Sequence, residues 1–188
     1  MLIIMTKNKV NTFNYHLIAV LFLGLSIASI LLLIPNLLNY AYSESYYLIK
    51  SKLNGLVLDI RATNPLPGAF VQTWTQNSGD GQLWTITDDG YIKSKLNGLV
   101  LDIRVSNPLP GAFVQMWTQN NGLNQLWTIT DDGYIKSKLN GLVLEIPVAD
   151  PRPGAFVQMW TQNNGLGQKW ILEEFPESTY NNSSNVAN

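Results

Sequence analysis

The sequence predicts an all-β domain in which three copies of one unit close around a three-fold axis. The unit ends in Gln-x-Trp, and its tryptophan recurs at Trp84, Trp127 and Trp170, a spacing of 43 residues. Asn-Gly and Asp-Gly turn signals separate short runs rich in Val, Ile, Tyr, Trp and Thr. No segment of these units has a sustained helical period.

The elements follow in the same order in each repeat. In the first, the strand YLIKS leads into an Asn-Gly hairpin turn at 53–56, and LVLDI is the second strand. NPLPG at 64–68 is a connection that cannot continue a strand. AFVQTWTQ and LWTIT are the third and fourth strands, and TDDGYI at 87–92 turns into the next repeat. Four strands per repeat predict twelve in all. The repeats span residues 47–89, 90–132 and 133–175.

A closed arrangement fits these repeats better than two other repeat architectures. Four strands per unit also suit a propeller blade, but propellers typically have at least four blades. A linear solenoid needs distinct capping repeats, whereas the outer repeats here look much like the middle one. Closure gives three similar sequences similar environments and leaves few open strand edges.

The N-terminal residues 1–43 form a separate segment, predicted as a hydrophobic helix. Lys7 and Lys9 precede an uncharged apolar run from Leu17 to Ile34. This pattern is typical of a signal peptide, here cleaved after Ser43, and its length also suits an uncleaved signal anchor. Both interpretations place the repeats on the far side of a membrane. The protein is then either secreted or a single-pass membrane protein whose domain is extracellular or lumenal.

The C-terminal residues 176–188 are predicted to be a disordered polar tail. Two overlapping glycosylation patterns begin at Asn181 and Asn182, and chance in an Asn/Ser-rich tail explains them equally well. The folded domain is therefore expected at 46–175.

Composition excludes several functions. The formal net charge is −1 and the basic residues form no patch, so no nucleic-acid partner is predicted. There is no cysteine, and the single histidine, His16, lies outside the repeats. The repeats therefore lack the residues for a disulfide, a thiolate or histidine metal site, or a Ser-His-Asp triad. We expect no catalytic residue, metal or cofactor.

The two tryptophans of each repeat have different predicted roles. Side chains alternate along a strand, and in AFVQTWTQ the residues Val71 and Thr73 share one face. The later repeats have methionine at the Thr73 position, which makes this the core face. Trp74 and Gln72 then face outward, as does Asp59 on the neighbouring strand. A carboxylate, an amide and an aromatic plate together suit a saccharide, which has hydroxyls and an apolar C–H face. The later equivalents of the outward tryptophan are Trp117 and Trp160.

Other roles for these residues remain open from the sequence. Trp84, Trp127 and Trp170 are expected in the core. Gln82, Gln125 and Gln168 are expected to bond the backbone, to contact a ligand, or both. Asp59 and Asp102 are alternatively plain turn carboxylates, and the outward tryptophans alternatively structural.

These motifs resemble the ricin B-type lectins, β-trefoil carbohydrate-binding modules marked by three QxW repeats. The resemblance covers about Tyr46 to Phe175. It implies a sugar site per repeat, built from an Asp, a Gln-x-aromatic pair and Asn-Gln. The second repeat matches fully with Asp102, Gln115, Trp117, Asn124 and Gln125. The first has Asp59, Gln72, Trp74 and Gln82, with Gly81 in place of the Asn. The third has Glu145, Gln158, Trp160 and Gln168, with Gly167 in place of the Asn and Pro147 in place of the Arg.

The resulting hypothesis is a lectin for galactose- or N-acetylgalactosamine-type glycans, multivalent through sites that rank two, one, three. Its partners are glycans or glycoconjugates, and a membrane only through an uncleaved N-terminal segment. The alternative is a β-trefoil for protein contacts with vestigial sugar sites. A glycoside hydrolase is disfavoured, because the paired carboxylates Asp88–Asp89 and Asp131–Asp132 lie in predicted turns.

Overall fold

A computed structural model describes residues 45–104, 107–147 and 150–176. The predicted N-terminal segment at 1–43 lies outside these residues, and so does the predicted tail apart from Pro176. Within the described ranges, no helix has the length and apolar character needed to cross a bilayer.

The described part of the chain contains twelve strands, four in each repeat, which confirms the predicted number. The first repeat has β1 Tyr46–Ser51, β2 Val57–Ile60, β3 Val71–Trp74 and β4 Trp84–Ile86. The second has β5 Ile92–Ser94, β6 Val100–Ile103, β7 Val114–Trp117 and β8 Trp127–Ile129. The third has β9 Ile135–Ser137, β10 Val143–Glu145, β11 Gln158–Trp160 and β12 Trp170–Phe175.

The predicted closure is confirmed by the pairing of the first strand with the last. β1 and β12 run antiparallel in register from Tyr46 opposite Phe175 to Ser51 opposite Trp170. Eight strands form one sheet, and β8 to β11 form a second. The N–H of Trp127 donates to the carbonyl of Gly90 at 2.8 Å, which ties the second sheet to the first. Closure satisfies backbone groups that an open edge would expose.

Three hairpins, β2–β3, β6–β7 and β10–β11, meet at one end of the closed structure. The N–H groups of Thr73, Met116 and Met159 each donate to an alanine carbonyl of another repeat, at 2.8 to 2.9 Å. Phe70, Phe113 and Phe156, one from each repeat, have ring centroids 5.4 to 6.4 Å apart. The three repeats therefore interlock at this end.

The Asn-Gly turns form the hairpins that the sequence predicts. Gly55 has φ +73°, a left-handed conformation that glycine adopts without steric cost. The Oδ1 of Asn54 accepts the N–H of Leu56 at 3.1 Å, and the turn joins β1 to β2. The corresponding turns of the other repeats have the same geometry.

The core confirms the predicted division of the tryptophans. Trp84, Trp127 and Trp170 are 0% to 3% exposed and lie in one apolar cluster with the inward residues of the strands. Each indole N–H donates to a backbone carbonyl two strands earlier, at 3.0 to 3.1 Å. Trp74, Trp117 and Trp160 are 41%, 40% and 39% exposed. One tryptophan of each repeat therefore holds the fold, and the other faces solvent.

One core position differs among the repeats in a way that predicts a stabilising change. The Oγ1 of Thr73 is buried and has no hydrogen-bond partner in the described structure, whereas the other repeats place Met116 and Met159 there. We expect Thr73→Met to raise the free energy of unfolding by about 1–3 kcal/mol, because it removes an unsatisfied buried hydroxyl. Urea denaturation measures this. Thr73→Val is the control without added volume, and a loss of stability in that variant would contradict the expectation.

Candidate functional site

The most complete constellation lies in the second repeat. Pairing of β6 with β7 places Asp102 opposite Gln115, whose Nε2 donates to the Asp102 Oδ1 at 3.0 Å. Asn124 and Gln125 lie in a 3₁₀ turn, and both donate to the Oδ2 of Asp102, at 2.7 and 2.9 Å. Three amides therefore hold one buried carboxylate, beside the half-exposed indole of Trp117.

These groups border a cavity of about 410 Å³ that two repeats build together. The first repeat contributes Gly68 and Phe70. A Cβ at Gly68 would lie 3.7 Å from the Trp117 ring, so the backbone of one repeat packs against the indole of the next. The lining residues from the second repeat are Asp102, Arg104, Gln115, Trp117, Asn120 and Asn124.

The first repeat builds a similar cavity, of about 470 Å³, with the third. The Gln72 Nε2 donates to the Asp59 Oδ2 at 2.9 Å, and Trp74 stands at the end of β3. Gly154 and Phe156 of the third repeat complete the wall. Gly81 stands where the second repeat has its asparagine, so Asp59 lacks that donor.

In the third repeat a glutamate replaces the aspartate, and it keeps two of the three amide partners. Gln158 donates to the Oε2 of Glu145 at 3.0 Å, and Gln168 donates to its Oε1 at 3.1 Å. Trp160 has nearly the same exposure as its equivalents. The structure therefore brings together the predicted residues of all three repeats.

The glutamines of the QxW motifs lie beneath the sites. Gln82, Gln125 and Gln168 are 0% to 1% exposed. Each side-chain carbonyl accepts a backbone N–H of an asparagine at 2.8 Å, and each amide donates to a threonine carbonyl at 2.9 to 3.0 Å. These bonds confirm the backbone role and leave the glutamines without contact to solvent.

Burial changes the ionisation of two site carboxylates. Desolvation raises the pKa of Asp59 and of Asp102 above the ordinary value of 3.8. The amides that bond each carboxylate act in the opposite direction and lower its pKa, through Gln72 and Gln82 for Asp59. Both groups therefore take up a proton earlier on acidification than an exposed aspartate.

The paired carboxylates of the DDG turns have the local role that the sequence predicts. The hydroxyls of Thr87 and Thr130 donate to Asp89 and Asp132 two residues later. Hydrogen bonds from Thr130 and Lys169 hold the pKa of Asp132 below its usual range. Both carboxylate pairs therefore belong to turns, which is the reason that the sequence disfavours a glycoside hydrolase.

Sequence reasoning missed the part of each cavity that a neighbouring repeat supplies. Gly68, Phe70, Gly154 and Phe156 carry no motif of their own, and a repeat pattern does not say which repeats touch. Alternation along LVLDIR does place the arginine on the same face as the aspartate, and that signal identifies the arginines of the two cavities, Arg61 and Arg104.

A comparison with protein families identifies the domain. The family model described as a ricin-type β-trefoil lectin domain matches residues 45–170. The chain belongs to this lectin family. The match confirms the resemblance and extends into all three repeats, as far as Trp170. Members of the family are carbohydrate-binding modules, although some occur within enzyme or toxin chains. No curated protein sequence matches the chain.

Solved structures share the lectin fold. A designed three-fold symmetric protein, ThreeFoil, is 30% identical with a TM-score of 0.66, over 69% of this chain and 99% of that one. The C-half of the earthworm R-type lectin, solved with GalNAc, is 32% identical with a TM-score of 0.62, over 70% and 99%. An exo-β-1,3-galactanase from Clostridium thermocellum is 27% identical with a TM-score of 0.66, over 71% of this chain and 31% of that one.

Proposed function

We propose that this protein is a lectin that binds galactose- or N-acetylgalactosamine-type glycans, through the sites of the second and first repeats and more weakly through the third. One observation carries the proposal: a buried carboxylate held by amides stands beside a half-exposed indole, and the arrangement recurs by repeat. Membership of a lectin family and the likeness to the earthworm lectin that was solved with GalNAc support it.

Each group has a distinct task in this proposal. The indole of Trp117 offers a flat apolar surface to the C–H face of a sugar. Asp102 accepts hydrogen bonds from sugar hydroxyls, and its charge strengthens them. Gln115 and Asn124 fix the carboxylate and border the cavity, so their remaining polar atoms also face the ligand.

Several weak sites on one rigid body act together on a surface. A first contact raises the effective concentration of the other sites near neighbouring glycans. A location outside the cell or in a lumen, proposed from residues 1–43, would expose the lectin to such surfaces.

A glycan array with the full-length chain tests the proposal. We expect binding to glycans that end in galactose or N-acetylgalactosamine, and far weaker binding of the free monosaccharides. The double variant Asp59→Asn with Asp102→Asn is the matched control, since it keeps the shape of both side chains and removes their charge. Folded wild-type protein that bound no glycan would refute the function, and capture of a protein partner would then favour the interaction module.

Acidification is expected to weaken sugar binding before it affects the fold. The pKa values of Asp59 and Asp102 lie above 3.8, so the acceptor charge is lost from a higher pH than for an exposed aspartate. A raised pKa in the folded state means that protonation stabilises the fold; this contribution is present below 3.8 and is lost as pH rises through the raised pKa. Titration calorimetry from about pH 7 to about pH 3, beside circular dichroism, measures both effects. Affinity that stayed constant over this range would contradict the role of the carboxylates.

Supplying the missing asparagine is expected to strengthen the first site. A Cβ at Gly81 would lie 3.8 Å from the Asp59 Oδ1, so an asparagine fits there and reaches the carboxylate as Asn124 does. We expect Gly81→Asn to tighten monosaccharide binding about fivefold, because the new amide would border the cavity as Asn124 does and would donate one hydrogen bond to the sugar, worth roughly 1 kcal/mol. Calorimetry in a background with both Trp117→Ala and Trp160→Ala reports this site.

The third repeat offers a matched control for this substitution. A Cβ at Gly167 would lie 2.7 Å from the carbonyl oxygen of Ile146, which is too close for the backbone to accept. Gly167→Asn should therefore lower the melting temperature and leave sugar affinity unimproved. Equal sugar affinities for Gly81→Asn and its parent would contradict the assigned role of the asparagine.

A further inference from the structure

Arg61 and Arg104 line the two cavities without taking part in the carboxylate–amide networks. Each follows the strand that carries the site aspartate and borders the same cavity as that aspartate. Among the described residues, neither guanidinium forms an ion pair or a side-chain hydrogen bond. A guanidinium has five N–H donors, so both cavities contain donors that the protein does not use.

A ring from the neighbouring repeat holds each guanidinium in place. The Cζ of Arg61 lies 4.9 Å from the ring centroid of Phe156, and that of Arg104 lies 5.5 Å from the centroid of Phe70. Stacking of this kind orders the side chain and removes water from one face of the cation. The planar edge with its donors stays free to meet a ligand.

The third repeat lacks an arginine stacked on a ring. Pro147 stands at the arginine position, and Phe113, the ring that an arginine would cover, is 49% exposed. Phe70 and Phe156, each beneath its arginine, are less exposed than Phe113. The arginine is thus a feature of two sites of three, and the fold does not require it.

We infer that Arg61 and Arg104 give the first and second sites a preference for glycans that carry an anionic group, a carboxylate or a sulfate ester, next to the sugar bound on the tryptophan. This inference rests on the proposed lectin function. A guanidinium pairs with planar or tetrahedral oxyanions through two parallel hydrogen bonds. The site aspartates lie more than 4.0 Å from the guanidinium nitrogens, and Asp102 is already held by three amides. The cation is therefore available to an incoming anion.

The test compares matched glycans on the full-length chain by surface plasmon resonance. The probes are a neutral galactoside, the same galactoside with a sulfate ester, and the same galactoside with an attached sialic acid. We expect at least one acidic form to bind about tenfold more tightly than the neutral form. The two acidic probes show which anion is preferred, and added salt should reduce the preference because it screens the charges.

Two variants separate a specificity role from a structural one. Arg61→Gln with Arg104→Gln should bring the acidic-to-neutral affinity ratio to about one, because the acidic forms lose more affinity than the neutral form does. Lys50→Gln with Lys93→Gln removes two positive charges that line neither cavity, and it should keep the ratio. Thermal melting checks that each variant folds.

Three results would overturn the inference. Wild type could bind acidic and neutral forms equally, the arginine variant could retain the preference, or it could lose affinity for both forms alike. The first of these leaves the lectin function intact, since the neutral galactoside still binds. Absence of binding to every probe would instead overturn the proposed function together with this inference.

Discussion

Replacing Trp74 and Trp117 together by alanine is expected to leave only weak binding to a glycan-coated surface. Each indole is about two-fifths exposed and forms the apolar plate of its site. Removal of such an aromatic contact costs about 2 kcal/mol, or roughly thirtyfold in affinity, at a single site. Loss of two sites also removes the gain from simultaneous binding, so the effect on a dense surface should exceed the effect on free sugar. Surface plasmon resonance at several glycan densities measures both.

The third repeat provides the comparison for this variant. Trp160→Ala removes an indole of nearly equal exposure from the site that has Glu145 and Pro147. We expect it to reduce surface binding much less than the double variant. Trp117→Phe, which keeps a smaller plate, should retain part of the affinity. A double alanine variant that bound like wild type would contradict the assigned site.

Replacing Trp84 by alanine is expected to destabilise the domain severely and to alter the site only through the fold. Trp84 is 0% exposed, and its indole N–H donates to the Leu58 carbonyl at 3.1 Å. Truncation of a buried tryptophan costs about 3–5 kcal/mol, and the unpaired carbonyl adds about 1–3 kcal/mol. Domains of this kind have a total stability of about 5–15 kcal/mol, so a large part would be lost.

Urea denaturation followed by circular dichroism measures this loss. Trp74→Ala is the matched control, because it removes the same side chain from the surface and should move the midpoint far less. Trp84→Phe fills part of the cavity and should fall between the two. Similar midpoints for Trp84→Ala and Trp74→Ala would show that the two tryptophans do not differ as the structure indicates.

Local chemistry made most of the fold predictable. Asn54–Gly55 and its equivalents specify hairpins through one side-chain bond and one positive φ, both of which depend only on neighbouring residues. Alternation along the third strand assigns Val71 to the core and Trp74 to the surface, because successive side chains point to opposite faces. The 43-residue period predicted the number of repeats.

Parts of the site could not be predicted in this way. The hydrogen bond from the Gln125 amide to Asp102 depends on a 3₁₀ turn. This turn brings the two side chains within 2.9 Å although they are 23 residues apart in the chain. The packing of Gly68 on Trp117 depends on which repeats are neighbours at the three-fold axis. Neither distance follows from a pattern within one repeat.

The sequence alone determined that there are three β repeats, where their turns lie, and which tryptophan of each repeat faces the core. These properties are local, since backbone dihedral preferences and strand periodicity act over a few residues. Only the tertiary structure decided that each cavity belongs to two repeats, that Gln82 and its equivalents lie beneath the sites, and that two arginines stack on rings from another repeat. The cavity walls and the arginine–phenylalanine stacks join residues of different repeats, so they exist only once the repeats pack around the three-fold axis.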